Sequence, residues 1–205
     1  MRILMARHGY PPIISGVTLV AQKIARAMVR KGHTVTIVTA SENRSPYVTE
    51  DQGVHVIRVR SLANPFWEEG PIPVLGQKAL EEIAEEVQPD ILHTHDAAVL
   101  GWQLARLRRE TGVPLVGTCH FVPRFVAHYL TWDDEPHEAI ESLAWAYSIN
   151  FFNRLDRVVF ATVAQRDCFL ENGLEAPMTI ISNGIDTSRY YPAKEGIAEV
   201  EARYT

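Results

Sequence analysis

The stretch RILMARHGYPPIISGVTLVAQKIARAMVRKGHTVTIVTA, residues 2–40, decides the fold of this chain. It opens with an apolar run typical of a buried strand, and apolar residues then recur at three- and four-residue intervals from Leu19 to Met28, as in an amphipathic helix. Gly32 can end that helix, and residues 33–40 form a β-branched second strand. The pattern predicts two parallel strands joined right-handedly through a helix.

The same alternation continues along the chain and predicts a Rossmann-like α/β fold, a mostly parallel sheet with helices on both faces. Residues 41–53 are predicted to be a polar loop, and residues 61–76, rich in proline and glycine, a long surface loop. The further predicted strands are residues 54–59, 90–95, 113–120, 157–162 and 178–182, and the further predicted helices are residues 77–87, 98–112, 137–155 and 164–173.

Composition limits the class of protein. The chain has 205 residues, 46% of them hydrophobic, which is ordinary for one globular domain. Its net charge of −5, with both signs interspersed, offers no basic stripe and argues against a nucleic-acid partner. Cys119 and Cys168 stand far apart, which fits a reducing compartment, and no run approaches the ~20 apolar residues that span a bilayer. We expect a cytoplasmic protein.

The loop after the first strand is a candidate anion site. Pro11 and Pro12 stiffen it without offering amide donors. Gly16 has no Cβ, so another molecule can approach its backbone, and the amides of Val17 and Thr18 fall in the first helical turn, where no intrahelical acceptor exists. Such a turn suits a phosphate or diphosphate.

A purely structural interpretation of this loop is equally open: Ser15 caps the helix and Gly16 permits the turn. Two sharper nucleotide motifs are absent, because the chain contains neither G-x-x-x-x-G-K-[ST] nor G-x-G-x-x-G. The second strand also ends in Ala40 and Ser41, without an acidic residue placed to hold a ribose hydroxyl. P-loop hydrolysis and nicotinamide chemistry are therefore disfavoured.

Histidines follow two of the predicted strands. His93 and His95 share one face of a strand and precede Asp96, so a metal-dependent hydrolase using these three residues is one alternative, although a convincing metal site needs a clearer ligand spacing. His120 falls where ligands bind in such sheets and could donate to a sugar hydroxyl or phosphate, or cap the next segment. The aromatic-rich stretch 121–132, which includes Arg124, suits core packing, a lid or an amphiphilic surface.

Taken in order, five segments resemble the N-terminal half of a family 4 glycosyltransferase of the GT-B fold. They are YPPIISGV, AMVRKGHTV, PDILHTHD, VPLVGTCH and TIISNGIDTSRYYP. The resemblance implies retaining transfer of a sugar from a nucleotide-diphosphate sugar to a glycan or lipid acceptor, with no cofactor and no obligatory metal. It implies that Gly16 and Val17 bind the donor diphosphate, with Ser15 standing where the family has a first glycine, and that His120 is catalytic. The residues it places in the acceptor cleft are His95, Tyr10, Arg124 and Asn183.

The family's enzymes are longer than this chain. They carry a second Rossmann-like domain with a Glu-x-x-x-x-x-x-x-Glu motif, for which no fitting carboxylate pair occurs here. We expect residues 1–192 to form the acceptor-side domain and residues 193–205 to begin the linker to an absent donor domain. Such a fragment would be inactive alone and could touch a membrane peripherally. A stand-alone Rossmann-like binding module is the alternative.

Overall fold

The computed structural model describes residues 1–64, 70–125, 137–188 and 190. Strands and helices alternate, as the hydrophobic periodicity predicts. The strands are β1 Arg2–Ala6, β2 Thr34–Ala40, β3 Tyr47–Asp51, β4 Val54–Val59, β5 Ser61–Leu62, β6 Ile72–Pro73, β7 Ile91–Thr94, β8 Leu115–Cys119, β9 Arg157–Phe160 and β10 Met178–Ile180, and the helices are α1 Gly16–Arg30, α2 Gln77–Val87, α3 Val99–Thr111, α4 His137–Phe152 and α5 Val163–Glu171.

Eight strands form one sheet in the order β10-β9-β8-β7-β1-β2-β4-β3. Every neighbouring pair is parallel except β3 and β4. The chain runs outward from β1 to β4, returns to the other side of β1 with β7, and continues to β10, so the strand order reverses between β1 and β7. The predicted Rossmann-like, mostly parallel sheet is confirmed, and its carboxyl edge at that reversal is where such folds bind ligands.

Helices cover both faces of the sheet. Alternate residues of β1 point to opposite faces: Ile3 and Met5 join a core cluster with residues of α1, whereas Leu4 and Ala6 join a larger cluster with residues of α2, α3, α4 and α5. Within the described ranges, no helix has the length and apolar character needed to cross a bilayer.

Two of the predicted loops contain strands. Residues 41–53, expected to be a polar loop, include β3, which pairs antiparallel with β4 through a turn at Gln52 and Gly53, where φ is 51° and 84°. The expected loop 61–76 contains the short β5–β6 pair. The expected boundary at residues 192 and 193 lies outside the described residues, as does stretch 126–132 of the aromatic-rich segment.

Candidate functional site

A network centred on Asp96 joins the ends of β1 and β7 at the strand-order reversal. One carboxylate oxygen of Asp96 accepts from the His8 amide at 2.9 Å, and it lies 3.1 Å from His8 Nδ1 and 3.5 Å from Arg7 Nη1. The other oxygen accepts from the Ala98 amide at 3.2 Å. Burial alone would raise the pKa of Asp96, but His8 and Arg7 hold that pKa well below its usual range. Asp96 is therefore an anionic anchor for both loops.

Three histidines line the same face of the sheet beside this network. His95 Nδ1 lies 2.9 Å from His120 Nε2, and the two rings stack with centroids 5.2 Å apart. The His93 ring is tilted by 38° against the His95 ring, with centroids 4.3 Å apart, and His93 Nε2 is 2.8 Å from Thr118 Oγ1. Met5, which pairs in register with His93, belongs to the core cluster beneath α1. The histidines and the N-terminus of α1 thus share one face and one edge.

These histidines are neutral at neutral pH. Burial, reinforced by neighbouring positive charge, lowers the pKa of His93 and of His120 to about 4. Burial also lowers the pKa of His95 well below its usual value, and His93, His120 and Arg7 lower it further. Each ring therefore carries one proton, so it has one N–H donor and one acceptor nitrogen.

The N-terminus of α1 leaves two amides without partners. Ser15 caps the helix: its side chain accepts from the Thr18 amide at 3.2 Å, and the Thr18 hydroxyl accepts from the Ser15 amide at 2.7 Å. Within the described residues, the amides of Gly16 and Val17 have no hydrogen-bond partner, and the first turn contains no acidic side chain. Two free N–H groups and the positive end of the helix dipole can accept an anion there.

Glycine is not required at position 16 by the local structure. Its φ lies outside the left-handed region, and an added Cβ would meet no atom within 4 Å. Of the two structural roles considered for the loop, the cap by Ser15 is therefore present, whereas a turn that needs Gly16 is not.

Buried polar contacts fix the loop before α1. Tyr10 is buried and its hydroxyl donates to Asp51 at 2.7 Å, while Arg26 Nε donates to the same carboxylate at 3.0 Å. Burial, followed by the hydrogen bond and charge of Asp51, raises the pKa of Tyr10. The Arg58 guanidinium donates to the Pro11 carbonyl. Tyr10 anchors the loop because β3 brings Asp51 to its hydroxyl, and its place in the acceptor cleft stays a prediction.

The structure brings together only some of the residues expected at the site. His95 contacts His120 but is 2% exposed, so it can act on a ligand only through its neighbours. Arg124 is exposed, and its Nε donates to Glu141 at 3.0 Å. Asn183 is exposed beyond β10, the outermost strand on that side of the sheet. Arg124 and Asn183 thus show no contact with the histidine pair.

Sequence reasoning missed Arg7 and His8 as site residues. Their position directly after the first strand, at the edge where ligands bind, was the available signal. Arg7 is buried, lies near Asp96, and lowers the pKa of both His95 and His120. Arg7 is thus a positive charge that acts on both members of the histidine pair.

The metal-dependent hydrolase alternative is not supported. Among the residues that the structure describes, no three His, Cys, Asp or Glu side chains stand where they could hold one ion. Asp96 is occupied by His8 and Arg7, and His93 is occupied by Thr118.

A groove of about 530 Å³ lies beside the loop that precedes α1. Ile13 and Ile14 form part of its wall on the loop side, and Leu62 of β5 adds another apolar side chain to the lining. Arg44 and Glu42 add charge of both signs. The groove therefore offers both apolar side chains and charged ones.

The fold is an open, mostly parallel sheet whose polar residues gather at the strand-order reversal, the position at which Rossmann-like folds bind ligands. Comparison with known proteins identifies the family. The sequence model of the family described as Glycosyltransferase Family 4 matches residues 14–189, and the chain belongs to that family.

Curated relatives agree with this assignment. The chain is 24% identical over 191 residues to the alpha-monoglucosyldiacylglycerol synthase of Streptococcus pneumoniae, covering 93% of this chain and 42% of that enzyme. It is 21% identical over 201 residues to a GDP-mannose-dependent alpha-mannosyltransferase of Corynebacterium glutamicum, covering 97% of this chain and 46% of that enzyme. The chain thus spans about half the length of these relatives.

Solved structures show the same fold. Sucrose-phosphate synthase from Thermosynechococcus elongatus superposes with a TM-score of 0.70 at 17% identity, over 97% of this chain and 52% of that one. Anabaena HepE in complex with UDP-glucose superposes with a TM-score of 0.63 at 16% identity, over 98% of this chain and 49% of that one.

Proposed function

We propose that the complete gene product transfers a sugar from a nucleotide-diphosphate sugar to an acceptor with retention of configuration, and that this chain supplies its acceptor-side lobe. The observation that carries the proposal is the pair of unpartnered amides at Gly16 and Val17, on the same face and edge as the neutral histidine pair. Two relatives named for alpha-linked products support retention, which gives an α-product from an α-linked donor.

The diphosphate of the donor binds at the start of α1. The Gly16 and Val17 amides donate to its oxygens, and the helix dipole and Arg7 offset its negative charge. No metal is needed for this, because backbone donors and fixed positive charge supply the stabilisation. The missing Cβ at Gly16 lets the diphosphate reach the backbone.

His120 is the catalytic residue, and its neighbour sets its tautomer. His95 Nε2 is buried without a partner in the described part of the chain, so a proton there would be an orphaned donor. The proton of His95 therefore sits on Nδ1 and is donated to His120 Nε2, which leaves the proton of His120 on its own Nδ1. A neutral His120 can donate a hydrogen bond from Nδ1 to a sugar hydroxyl without placing a second positive charge beside an oxocarbenium-like transition state.

The acceptor, a glycan or a lipid, lies in the groove beside the loop. Ile13, Ile14 and Leu62 suit an apolar portion, and Arg44 suits a polar or anionic portion. A lipid acceptor would require peripheral contact with a membrane. One relative is named for a glycolipid product, which makes a lipid the first acceptor to test.

A second lobe completes the site. We infer that residues 1–192 form the acceptor-side domain, that residues 193–205 begin the linker, and that a donor domain delivers the nucleotide. Half of a cleft can neither position both substrates nor exclude water from them, so the 205-residue chain should catalyse no detectable transfer by itself.

Transfer assays test the proposal. The complete gene product and the 205-residue chain would each be incubated with labelled UDP-glucose or GDP-mannose, and with diacylglycerol vesicles or soluble oligosaccharides. We expect transfer by the complete product alone, with the anomeric coupling of the product showing retention. Transfer by the shorter chain would contradict the half-site interpretation. A complete product that binds the nucleotide sugar but never transfers it would favour a binding module.

A further inference from the structure

One carboxamide on α5 holds the backbone on both sides of His120. Gln165 Nε2 donates to the Cys119 carbonyl at 3.3 Å and to the Phe121 carbonyl at 3.1 Å. Its Oε1 accepts from the Ala161 amide at 3.3 Å. The same Nε2 also lies 3.6 Å from Cys119 Sγ. Both polar atoms of this side chain are therefore used, and three of its four contacts are made to the residues on either side of His120.

The Phe121 carbonyl accepts a second hydrogen bond. The Cys119 thiol donates to the Phe121 carbonyl at 3.2 Å. Burial raises the pKa of this thiol to about 12, so it remains protonated and keeps donating. Cys119 thus acts as a hydrogen-bond donor in the loop and is unsuited to act as a nucleophile.

Capping of α5 does not explain why residue 165 is a glutamine. Thr162 caps the helix by accepting from the Gln165 amide at 3.1 Å, and position 165 is the third residue of the helix, where glutamate and glutamine both suit a capping box. A glutamate could accept from the Ala161 amide equally well. It has no N–H to donate to two carbonyls, and that donation is the part of the arrangement that reaches His120.

We propose that Gln165 is the positioning residue of His120, clamping the Cys119 and Phe121 carbonyls so that the His120 imidazole stays in hydrogen-bond contact with His95. The effect on sugar transfer rests on the function proposed above. The effect on the histidine pair does not depend on it.

Three variants separate this role from helix capping. Gln165→Met keeps the length of the side chain and removes all of its hydrogen bonds, whereas Gln165→Glu keeps the acceptor for Ala161 and loses only the donation. Thr162→Ala is the matched control, because it weakens the cap while leaving the carboxamide in place. The ring nitrogens of His95 and His120 are followed by ¹⁵N NMR on the 205-residue chain, and kcat and KM are measured on the complete gene product.

We expect both Gln165 variants to lose the single tautomer of the histidine pair and to lower kcat at least tenfold with little change in the donor KM. Thr162→Ala should leave the ring signals and kcat unchanged. Unaltered histidine signals in Gln165→Met and Gln165→Glu, or equal changes in Thr162→Ala, would overturn the inference. A complete product that transfers no sugar, together with the expected NMR changes, would contradict the proposed function and leave the clamp in place.

Discussion

Replacing Gly16 by alanine should stabilise the protein while weakening its proposed activity. Gly16 is the first residue of α1, its φ lies outside the left-handed region, and the position of an added Cβ is open. Alanine restricts the unfolded chain and favours the helix, so we expect the free energy of unfolding to rise by about 0.5–1 kcal/mol. No contact in the structure opposes this gain.

The same methyl group would obstruct the proposed diphosphate site. An anion bound to the Gly16 and Val17 amides must place its oxygens roughly 2.9 Å from the nitrogens, in the space that the methyl would occupy. Hydrogen bonds to charged groups contribute about 1.5–3 kcal/mol each. Losing one of them lowers kcat/KM by roughly 10- to 150-fold, since about 1.4 kcal/mol corresponds to a factor of ten.

Urea unfolding of the 205-residue chain and donor kinetics of the complete gene product measure the two effects separately. Gly76→Ala is the matched control: Gly76 precedes α2, and an added Cβ there also meets no atom within 4 Å. That variant should leave transfer unchanged. A Gly16→Ala enzyme that keeps full kcat/KM would refute the assignment of the diphosphate to these amides, and a destabilised one would refute the structural argument.

Other predictions concern the stability of the site. Because burial lowers the pKa of His93 and of His120 to about 4, the unfolded chain binds more protons than the folded one between that value and about 6.5. The contribution of these histidines to the free energy of unfolding should therefore be fully present above about pH 6.5. It should fall towards pH 4 by up to about 1.4 kcal/mol per pH unit for each histidine. A urea midpoint that stays constant down to about pH 5 would contradict this. Gly101→Ala places a Cβ 2.2 Å from the Asp96 carbonyl oxygen, so urea unfolding should show a loss of about 1–3 kcal/mol; unchanged stability would mean that α3 packs less closely. Tyr10→Phe should cost about 1 kcal/mol through the lost bond to Asp51, and a neutral result would show that the bond does not anchor the loop.

The fold class was accessible from the sequence because the hydrophobic period and the alternation of strands and helices are set by residues close together in the chain. The β3–β4 hairpin was missed for a physical reason. β3 is an edge strand with three exposed residues, Val48, Thr49 and Glu50, so it lacks the apolar run that predicts a buried strand. Its turn at Gln52 and Gly53 was the remaining signal, since two consecutive positive φ angles favour glycine in a tight hairpin.

The site was predicted less completely because its contacts depend on register between strands. The sequence places His95 and His120 after two strands, but their contact requires β7 and β8 to be neighbours, with His93 opposite Val116. The contact of Tyr10 with Asp51 could not be predicted for the same reason, because the strand that carries Asp51 was not predicted.

Burial and charge at the strand-order reversal together explain why His95 and His120 are neutral beside the positively charged Arg7. Arg7 lies close enough to oppose protonation of His95 and His120, while Asp96, which offsets its charge, is also held by His8 and by the Ala98 amide. Burial is the main reason that both imidazoles stay neutral, and the Arg7 charge reinforces it, which preserves their single-proton hydrogen bond. At the proposed diphosphate site, the two free amides at the start of α1 and a neutral imidazole donor on the same face of the sheet are prearranged before the ligand arrives.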